Sequence, residues 1–324
     1  HMFKDDFTTA ARAHHLALKT ERHYWHFAAK HIKWLGAKSR SDLERDPTGQ
    51  FRRYLSEMAN NGERVEGDEG VSASTQNGAF HALRFLYEKV LHLPLGDLSK
   101  IPRAAGHQRI VDVPPDDVAK RIVESVSGQN GVALRLIYGT AGRLNDVLRL
   151  RVKDLDFRKK LIAFQESKGG KSRLVPMPAS MVAELSALVK DRERVHDADL
   201  AKGFGWVHMP GQLAKKYPKE QKSLGWQYLF AASTMSKDPV TGMMGRHHIF
   251  NVTLQRAFAA AKARLRIRRH YTIHSLRHST SQFWERNCVP VSDIQKLLGH
   301  SNVNTTLRYL SSGQRGVPKV PTPL

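Results

Sequence analysis

The chain breaks at one short, punctuated stretch. Between residues 99 and 112, Pro102 and Gly106 interrupt a polar, basic run, and Pro114-Pro115 follow it. Such a stretch reads as a linker, whether an ordinary one or one that wraps a polyanion. A length of 324 residues accommodates two domains of roughly 100–200 residues each, so we set boundaries at 1–107 and 108–324. Charge divides at the same place. Residues 1–107 carry 16 basic and 13 acidic side chains, a net of +3, whereas 108–324 carry 36 and 17, a net of +19. A total of +22 attracts polyanions, nucleic acid first and an anionic membrane surface second.

Other classes drop out. A hydrophobic content of 40% supports real cores and argues against wholesale disorder. No apolar run approaches the roughly 18 residues of a membrane span. Residues 1–10 lack the apolar region of a signal peptide, and His1-Met2 resembles a tag scar. The single cysteine, Cys288, cannot form an internal disulfide or a cysteine-based zinc ribbon. A cytoplasmic protein is the expectation.

The first part reads as a small helical bundle. Apolar residues at helical spacing mark helices over 8–38 (Leu16, Trp25, Phe27, Ile32, Leu35), 42–59 (Leu43, Phe51, Tyr54, Leu55, Met58) and 74–91 (Phe80, Leu83, Phe85, Leu86, Val90). Ser72, Ser74, Thr75 and Gln76 either cap the third helix or touch phosphates at its N-terminus. The second part is mixed. Helices are expected over 115–126, 132–138, 145–150 and 181–194. A β-hairpin spans 156–178 around the basic turn Lys168-Gly169-Gly170-Lys171, an irregular Gly-, Pro- and aromatic-rich stretch runs from about 195 to 246, and helices return from 249 onward.

Individually, the chemistry-bearing residues have bland alternatives. Arg143 sits at a turn entering a helix, where a guanidinium can fork onto two phosphate oxygens or simply pair with Asp146. Lys168 on the hairpin turn can protonate a leaving oxygen or be an ordinary charged turn residue. His274 and Arg277 are three apart and share a helix face. His274 and His278, four apart, form a weak metal pair at best. Tyr309 follows Gly299-His300 and needs neighbouring cations to act as a nucleophile.

In order, the set is specific. The strings Leu136-Ile137-Tyr138-Gly139-Thr140…Arg143, Leu150-Arg151-Val152-Lys153-Asp154-Leu155-Asp156, Lys168-Gly169-Gly170-Lys171-Ser172-Arg173, His274-Ser275-Leu276-Arg277-His278-Ser279 and Leu298-Gly299-His300-Ser301…Thr305-Thr306…Tyr309 resemble the tyrosine recombinases of the phage-integrase family. The resemblance covers the second part, and the helical first part fits that family's core-binding domain. It implies a mainly α fold with a small antiparallel β-sheet. An N-terminal helical, SAM-like core-binding domain and an α+β catalytic domain would clamp around DNA.

The resemblance also implies a reaction. Tyr309 attacks a scissile phosphate, forming a 3′-phosphotyrosyl bond and freeing a 5′-hydroxyl. Arg143 and Arg277 neutralise the phosphate, Lys168 is the general acid, and His274 and His300 position the phosphate and assist proton transfer. No cofactor, ATP or metal is implied. Lys171 and Arg173 are expected DNA contacts. The tail, 311–324, is expected to dock on a neighbouring protomer in a DNA-bound homotetramer, unless it is merely a disordered end.

A narrower resemblance lies in 195–248. Leu213 to Pro218, Trp226 to Phe230, Asp238-Pro239 and Arg246-His247-His248 are similar to the insert of integron integrases, which holds bases extruded from a folded single strand. Trp226, Tyr228, Pro239, His247 and His248 supply stacking faces and edge hydrogen bonds, with Arg246 beside them; alternatively, the aromatics are a local core. The implied function is integration and excision of gene cassettes by a bacterial, nucleoid-associated enzyme acting on folded single-stranded and duplex sites. Alternatives are a Xer- or phage-type duplex recombinase, a non-catalytic DNA-binding protein of the same fold, a type IB topoisomerase and a zinc protein. The sequence departs from the usual family pattern at Gly142 (a large aliphatic), Asp146 (glutamate), Thr280-Ser281 (Phe-Ala) and Leu310-Ser311 (Thr-His).

Overall fold

The computed structural model describes residues 2–60, 71–99, 101, 111–167, 171–239, 241–300, 302 and 305–307. Lys168, Tyr309, the tail 311–324 and most of the 99–112 stretch lie outside the described residues, as does the side chain of Lys171. The chain forms two compact units, His1–Arg109 and Ile110–Leu324.

The first unit is helical: α1 (Met2–Ala13), α2 (Leu18–Leu35), α3 (Arg40–Glu44), α4 (Pro47–Asn60) and α5 (Ala73–Phe85), which runs into a π-helical turn at Leu86–Val90. The helix expected over 8–38 is thus two helices. The break falls at His15, whose φ of 53° lies in the left-handed region and cannot continue a right-handed helix. The expected 42–59 helix also divides, because Pro47 lacks the N–H an interior position needs and opens α4 instead. Ser72 caps α5, its side chain accepting from the Thr75 amide at 3.2 Å. Gln76 turns inward and donates to the Leu55 carbonyl.

The core of this unit gathers Phe7, Phe27, Leu43, Phe51, Leu55, Phe80, Leu83 and Leu86. A polar chain crosses it. The Tyr87 hydroxyl donates to Gln50 Oε1 at 2.9 Å and lies 2.8 Å from His31 Nε2. The tyrosine's one hydrogen is spent on Gln50, so His31 Nε2–H donates and the imidazole is neutral. Burial lowers the His31 pKa to about 4.

The second unit continues with α6 (Asp116–Glu124), α7 (Gly128–Thr140), α8 (Leu144–Leu148), β1 (Leu155–Asp156), β2 (Leu161–Ser167), β3 (Lys171–Pro176) and α9 (Val182–Ala201). The three strands form an antiparallel sheet in sequence order. Ile162 pairs with Val175 and Phe164 with Arg173. The alternation puts Ile162 and Phe164 into a core shared with Leu134, Leu148, Val175, Leu185, Phe230, Leu254 and Leu276.

Helix α9 extends to Ala201, past the end at 194 expected from sequence, so the irregular stretch starts later than 195. That stretch contains α10 (Leu213–Lys216), short 3₁₀ turns and a small hairpin, β4 (Ser236–Lys237) with β5 (Met244–Gly245). Helices α11 (Asn251–Arg264), α12 (Ile273–Arg286) and α13 (Val291–Leu298) follow. Among the described residues no helix is long and apolar enough to cross a membrane.

Candidate active site

Helix α7 ends in a tight, buried turn. Ala141 adopts a left-handed φ of 50°, and the Thr140 hydroxyl donates to the Leu136 carbonyl at 2.6 Å while accepting from the Gly142 amide at 3.2 Å. Gly142 has no room for a side chain: a Cβ there would lie 2.7 Å from Val147 Cγ2 and 3.0 Å from Phe164 Cζ. Val147 and Phe164 fill the space that the usual aliphatic would need, which accounts for the departure at 142. Arg143 then caps α8 in an extended conformation. Its Nη1 is buried, lies 3.6 Å from Asp146 Oδ2 and makes no hydrogen bond among the described residues.

Helix α12 is the axis of the site. Thr272 opens it with a capping box involving Ser275. From Ser275 to Ser281 every residue is buried. Small hydroxyl side chains make this possible by bonding back to the helix: Thr280 to the Leu276 carbonyl at 3.0 Å and Ser281 to the Arg277 carbonyl at 2.6 Å. The Thr280 hydroxyl hydrogen is shared with the Tyr138 carbonyl of α7, a three-centre contact. These bonds show what Thr280-Ser281 do in place of the usual Phe-Ala pair.

Arg277 has no exposed surface. Its guanidinium donates to the Ala141 carbonyl, to the Leu298 carbonyl at 2.6 Å and to His300 Nε2 at 3.0 Å. One side chain therefore ties together the turn before Arg143, the end of α13 and His300. Gly299 terminates α13 at a φ of 64°, and a Cβ there would lie 2.9 Å from Arg173 Cδ. This positive φ and close approach explain a glycine immediately before His300.

His300 is neutral. Its pKa falls to about 3, chiefly through burial and then through the charges of Arg277, Arg143, Arg173 and His278. His274 keeps an exposed edge, yet burial of the rest of its ring and the nearby Arg277 and Arg143 lower its pKa as well. The common influence of Arg143 and Arg277 on both imidazoles puts four of the sequence-derived site residues in one electrostatic neighbourhood. His274 and His278 pack edge to face with ring centroids 5.2 Å apart. Among the described residues no cluster of three metal-capable side chains forms around them or elsewhere.

Arg173 is not on an exposed groove wall. Its side chain is 6% exposed, stacks over Phe164 at 4.6 Å, and donates from Nε to the Leu297 carbonyl at 2.9 Å. Its Nη1 lies 2.9 Å from Asp146 Oδ2, and burial pulls its pKa down. Arg173 thus braces β3 against α13 rather than presenting its charge to solvent.

The insert is fastened to the segment after α8. The Val152 amide donates to the Gln227 carbonyl at 3.1 Å and the Leu229 amide to the Leu150 carbonyl at 2.8 Å. Between these bonds Arg151 donates to the Trp226 carbonyl at 2.5 Å and the His208 carbonyl at 2.8 Å, and lies 4.6 Å over the Tyr228 ring. Lys153 places its ammonium 3.8 Å from the Trp226 ring centroid. Trp226 is half-buried, whereas Tyr228 is buried with Val207 and Ala231 in a small core. Arg151 and Lys153 are residues whose roles the sequence did not disclose; the only signal was their place in the 150–156 string.

Within the insert His248 is buried and His247 exposed, with ring centroids 4.1 Å apart. Both sit beside Tyr228, at 5.3 and 5.2 Å. Burial lowers the pKa of both, to about 4 for His248, and His248 Nδ1 is 2.8 Å from the Ile249 carbonyl. Pro239 is exposed at the tip of the β4–β5 hairpin, near the exposed Met243 and Met244. Arg246 faces inward: it clasps Asp199 of α9 with both nitrogens of a fork, Nη2 to Oδ1 at 2.9 Å, and its Nη1 donates to the carbonyls of Ala232 and Ser233. The hydrogen bonds with Asp199 raise its pKa.

Comparison with known proteins gives the family. Residues 108–315 match the phage integrase family, and residues 3–97 match the phage integrase N-terminal SAM-like domain. Two proteins described as "Integrase/recombinase", from Escherichia coli and Pseudomonas aeruginosa, are each 35% identical over 321 residues, covering 99% of this chain and 92% of theirs. A lambda integrase dimer bound to a core site is similar in fold, with a TM-score of 0.64 at 15% identity, over 99% of this chain and 98% of that one. With a family match across the unit holding the Arg277 cluster and a second across the helical unit, the chain belongs to the phage integrase family of tyrosine recombinases, enzymes that cut and rejoin DNA.

Proposed function

We propose that this chain is a site-specific recombinase of the integron-integrase type, which exchanges gene cassettes through folded single-stranded as well as duplex sites. The supporting observation is that Arg277, bonded to the Ala141 carbonyl of the α7–α8 turn and to His300, shares an electrostatic neighbourhood with Arg143 and His274. A phosphodiester there is close to the Arg143 guanidinium and feels the charge of the buried Arg277 behind it, and neither guanidinium deprotonates.

In this reading the Tyr309 oxygen attacks phosphorus as its proton passes to neutral His274, and the bond to the 5′ oxygen breaks. Lys168 delivers the proton that leaves a 5′-hydroxyl. A 5′-hydroxyl from another strand then attacks the phosphotyrosine and releases Tyr309. The phosphate ester is conserved throughout, so no external energy source enters. Arg143 and Arg277 offset charge on the non-bridging oxygens. His274, neutral near pH 7, donates a hydrogen bond to the phosphate, whereas neutral His300 acts on it through its bond to Arg277.

The use of folded single strands rests on the insert. Tyr228, His247 and His248 form an aromatic cluster with one exposed imidazole, and Pro239 projects nearby on its hairpin. Extruded bases need such flat, sequence-tolerant partners. Arg173 and Arg246 serve as internal braces in this reading, leaving Lys171, Trp226, Pro239, His247 and His248 as the DNA-facing set. Tetramerisation through the tail and residence at the nucleoid complete the proposal.

The full chain, incubated with a site carrying a 5′-bridging phosphorothiolate, should form a covalent adduct that Tyr309→Phe abolishes. An adduct surviving that change would sink the assignment. Lys168→Ala should slow cleavage of an ordinary site but not of the phosphorothiolate, whose sulfur leaves without a proton. Changing His247 and His248 to Ala should weaken binding to a folded strand more than to duplex; equal losses would reject the insert's role.

A further inference from the structure

We infer that Thr306 is a positioning residue for strand cleavage: its hydroxyl fixes the tautomer of His300 and couples the turn ahead of Tyr309 to the Arg277 guanidinium. The inference rests on the reading of Arg277, His300 and Tyr309 just given. It starts from the two nitrogens of one ring. His300 Nε2 is 3.0 Å from Arg277 Nη2, and a guanidinium has only hydrogens to offer. Nε2 must therefore supply a lone pair. In a neutral imidazole the hydrogen is then on Nδ1, and Nδ1 lies 3.0 Å from Thr306 Oγ1. Nδ1–H donates and the threonine hydroxyl accepts.

The surroundings leave the ring little choice. Thr306 is completely buried and His300 is 9% exposed, so bulk water does not compete for either group. The His300 main chain is pinned on both sides, its amide donating to the Gln295 carbonyl at 3.1 Å and its carbonyl accepting from Gln295 Nε2 at 3.0 Å. A second ring proton would have to point at Arg277, a conflict that adds to the burial already lowering the basicity of His300. Residues 305–307 form a helical turn that begins with the Thr305 amide donating to the Asn302 carbonyl at 3.1 Å. Thr306 thus stands three residues before the nucleophile in sequence, while its hydroxyl is bonded to the arginine's own partner. Removing that acceptor strands a buried N–H. The ring can escape by shifting its hydrogen to Nε2, which turns a donor toward Arg277 and displaces the guanidinium from the phosphate site.

Two substitutions separate this role from simple packing. Thr306→Val keeps the shape and removes the acceptor; Thr306→Ser keeps the acceptor and removes a methyl group. On a 5′-bridging phosphorothiolate duplex at saturating protein, we expect the single-turnover rate of adduct formation to fall about tenfold for T306V and to stay within about twofold of wild type for T306S, on the scale of one lost buried hydrogen bond. DNA affinity should be unchanged in both. A wild-type rate for T306V, or a T306S as slow as T306V, overturns the inference. Histidine ¹⁵N NMR of the wild-type full chain supplies a readout independent of activity and of variant folding. His300 should show a protonated Nδ1 and an unprotonated Nε2, and the opposite tautomer also overturns the inference. If wild type forms no adduct, the recombinase reading fails on its own, while the ¹⁵N pattern still decides whether Thr306 sets the ring.

Discussion

Asp146 shares one carboxylate oxygen between two cations, standing 2.9 Å from Arg173 Nη1 and 3.6 Å from Arg143 Nη1. The nearer partner is the buried brace, because Arg173 Nε is already held by the Leu297 carbonyl. A glutamate, the usual residue here, reaches one methylene further; the aspartate leaves Arg143 the looser partner. Asp146→Ala would leave Arg173 charged and buried without its carboxylate. We expect a loss of about 3–5 kcal/mol in urea unfolding, together with weaker adduct formation as the β3–α13 contact loosens.

The two candidate phosphate-binding arginines differ in how deeply they are embedded, so their lysine variants should separate. Arg143→Lys loses the fork but few structural bonds: adduct formation should fall by about 10²–10³ with little change in melting temperature. Arg277→Lys also gives up bonds to the Ala141 and Leu298 carbonyls and to His300. Both activity and melting temperature should drop, and thermal denaturation alongside adduct assays checks the contrast.

The turn before Arg143 is packed against its own glycine. Gly142→Ala brings a Cβ within 2.7 Å of Val147 Cγ2. We expect destabilisation on the order of 1–3 kcal/mol. Adding Val147→Ala should recover part of it, since the offending methyl is gone. The double-mutant cycle in urea tests this directly; strictly additive losses would mean that the strain lies elsewhere.

Acid should weaken the N-terminal unit through His31. Its folded-state pKa of about 4 lies below the ordinary value near 6.5. The unfolded chain therefore takes up a proton that the folded chain refuses. Stability is intact above about pH 6.5 and falls as pH drops toward 4, by about 1–3 kcal/mol for this group. His31→Gln retains a donor to the Tyr87 hydroxyl without titrating. Urea midpoints measured from pH 7.5 to pH 4.5 should show a shallower decline for H31Q than for wild type.

Much of the architecture was readable because it depends on local signals. Helical spacing found the bundle, the basic glycine turn between apolar runs found the β2–β3 hairpin, and spacing along α12 put His274 and Arg277 on one face. What stayed hidden depended on distant partners. Arg173 on a hairpin and Arg246 beside two histidines look like groove cations, yet they meet Leu297, 124 residues away, and Asp199, 47 residues away. The left-handed break at His15 carries no glycine or proline to mark it, and apolar spacing continues on both sides. Thr306 and Arg151 stood inside recognisable strings, but only the packed structure shows that one holds a ring nitrogen and the other stitches the insert to the catalytic unit.

That stitch defines what can be transplanted. The main-chain bonds of Leu150 and Val152 to residues 227 and 229 bracket the Arg151–Tyr228 pairing, so the insert is woven into the chain ahead of β1. Cutting out 202–248 alone would leave the Leu150 carbonyl and the Val152 amide without their main-chain partners and Arg151 without its carbonyls and aromatic faces. The exchangeable module is therefore discontinuous: a relative lacking the insert would have to receive residues 150–154 along with it.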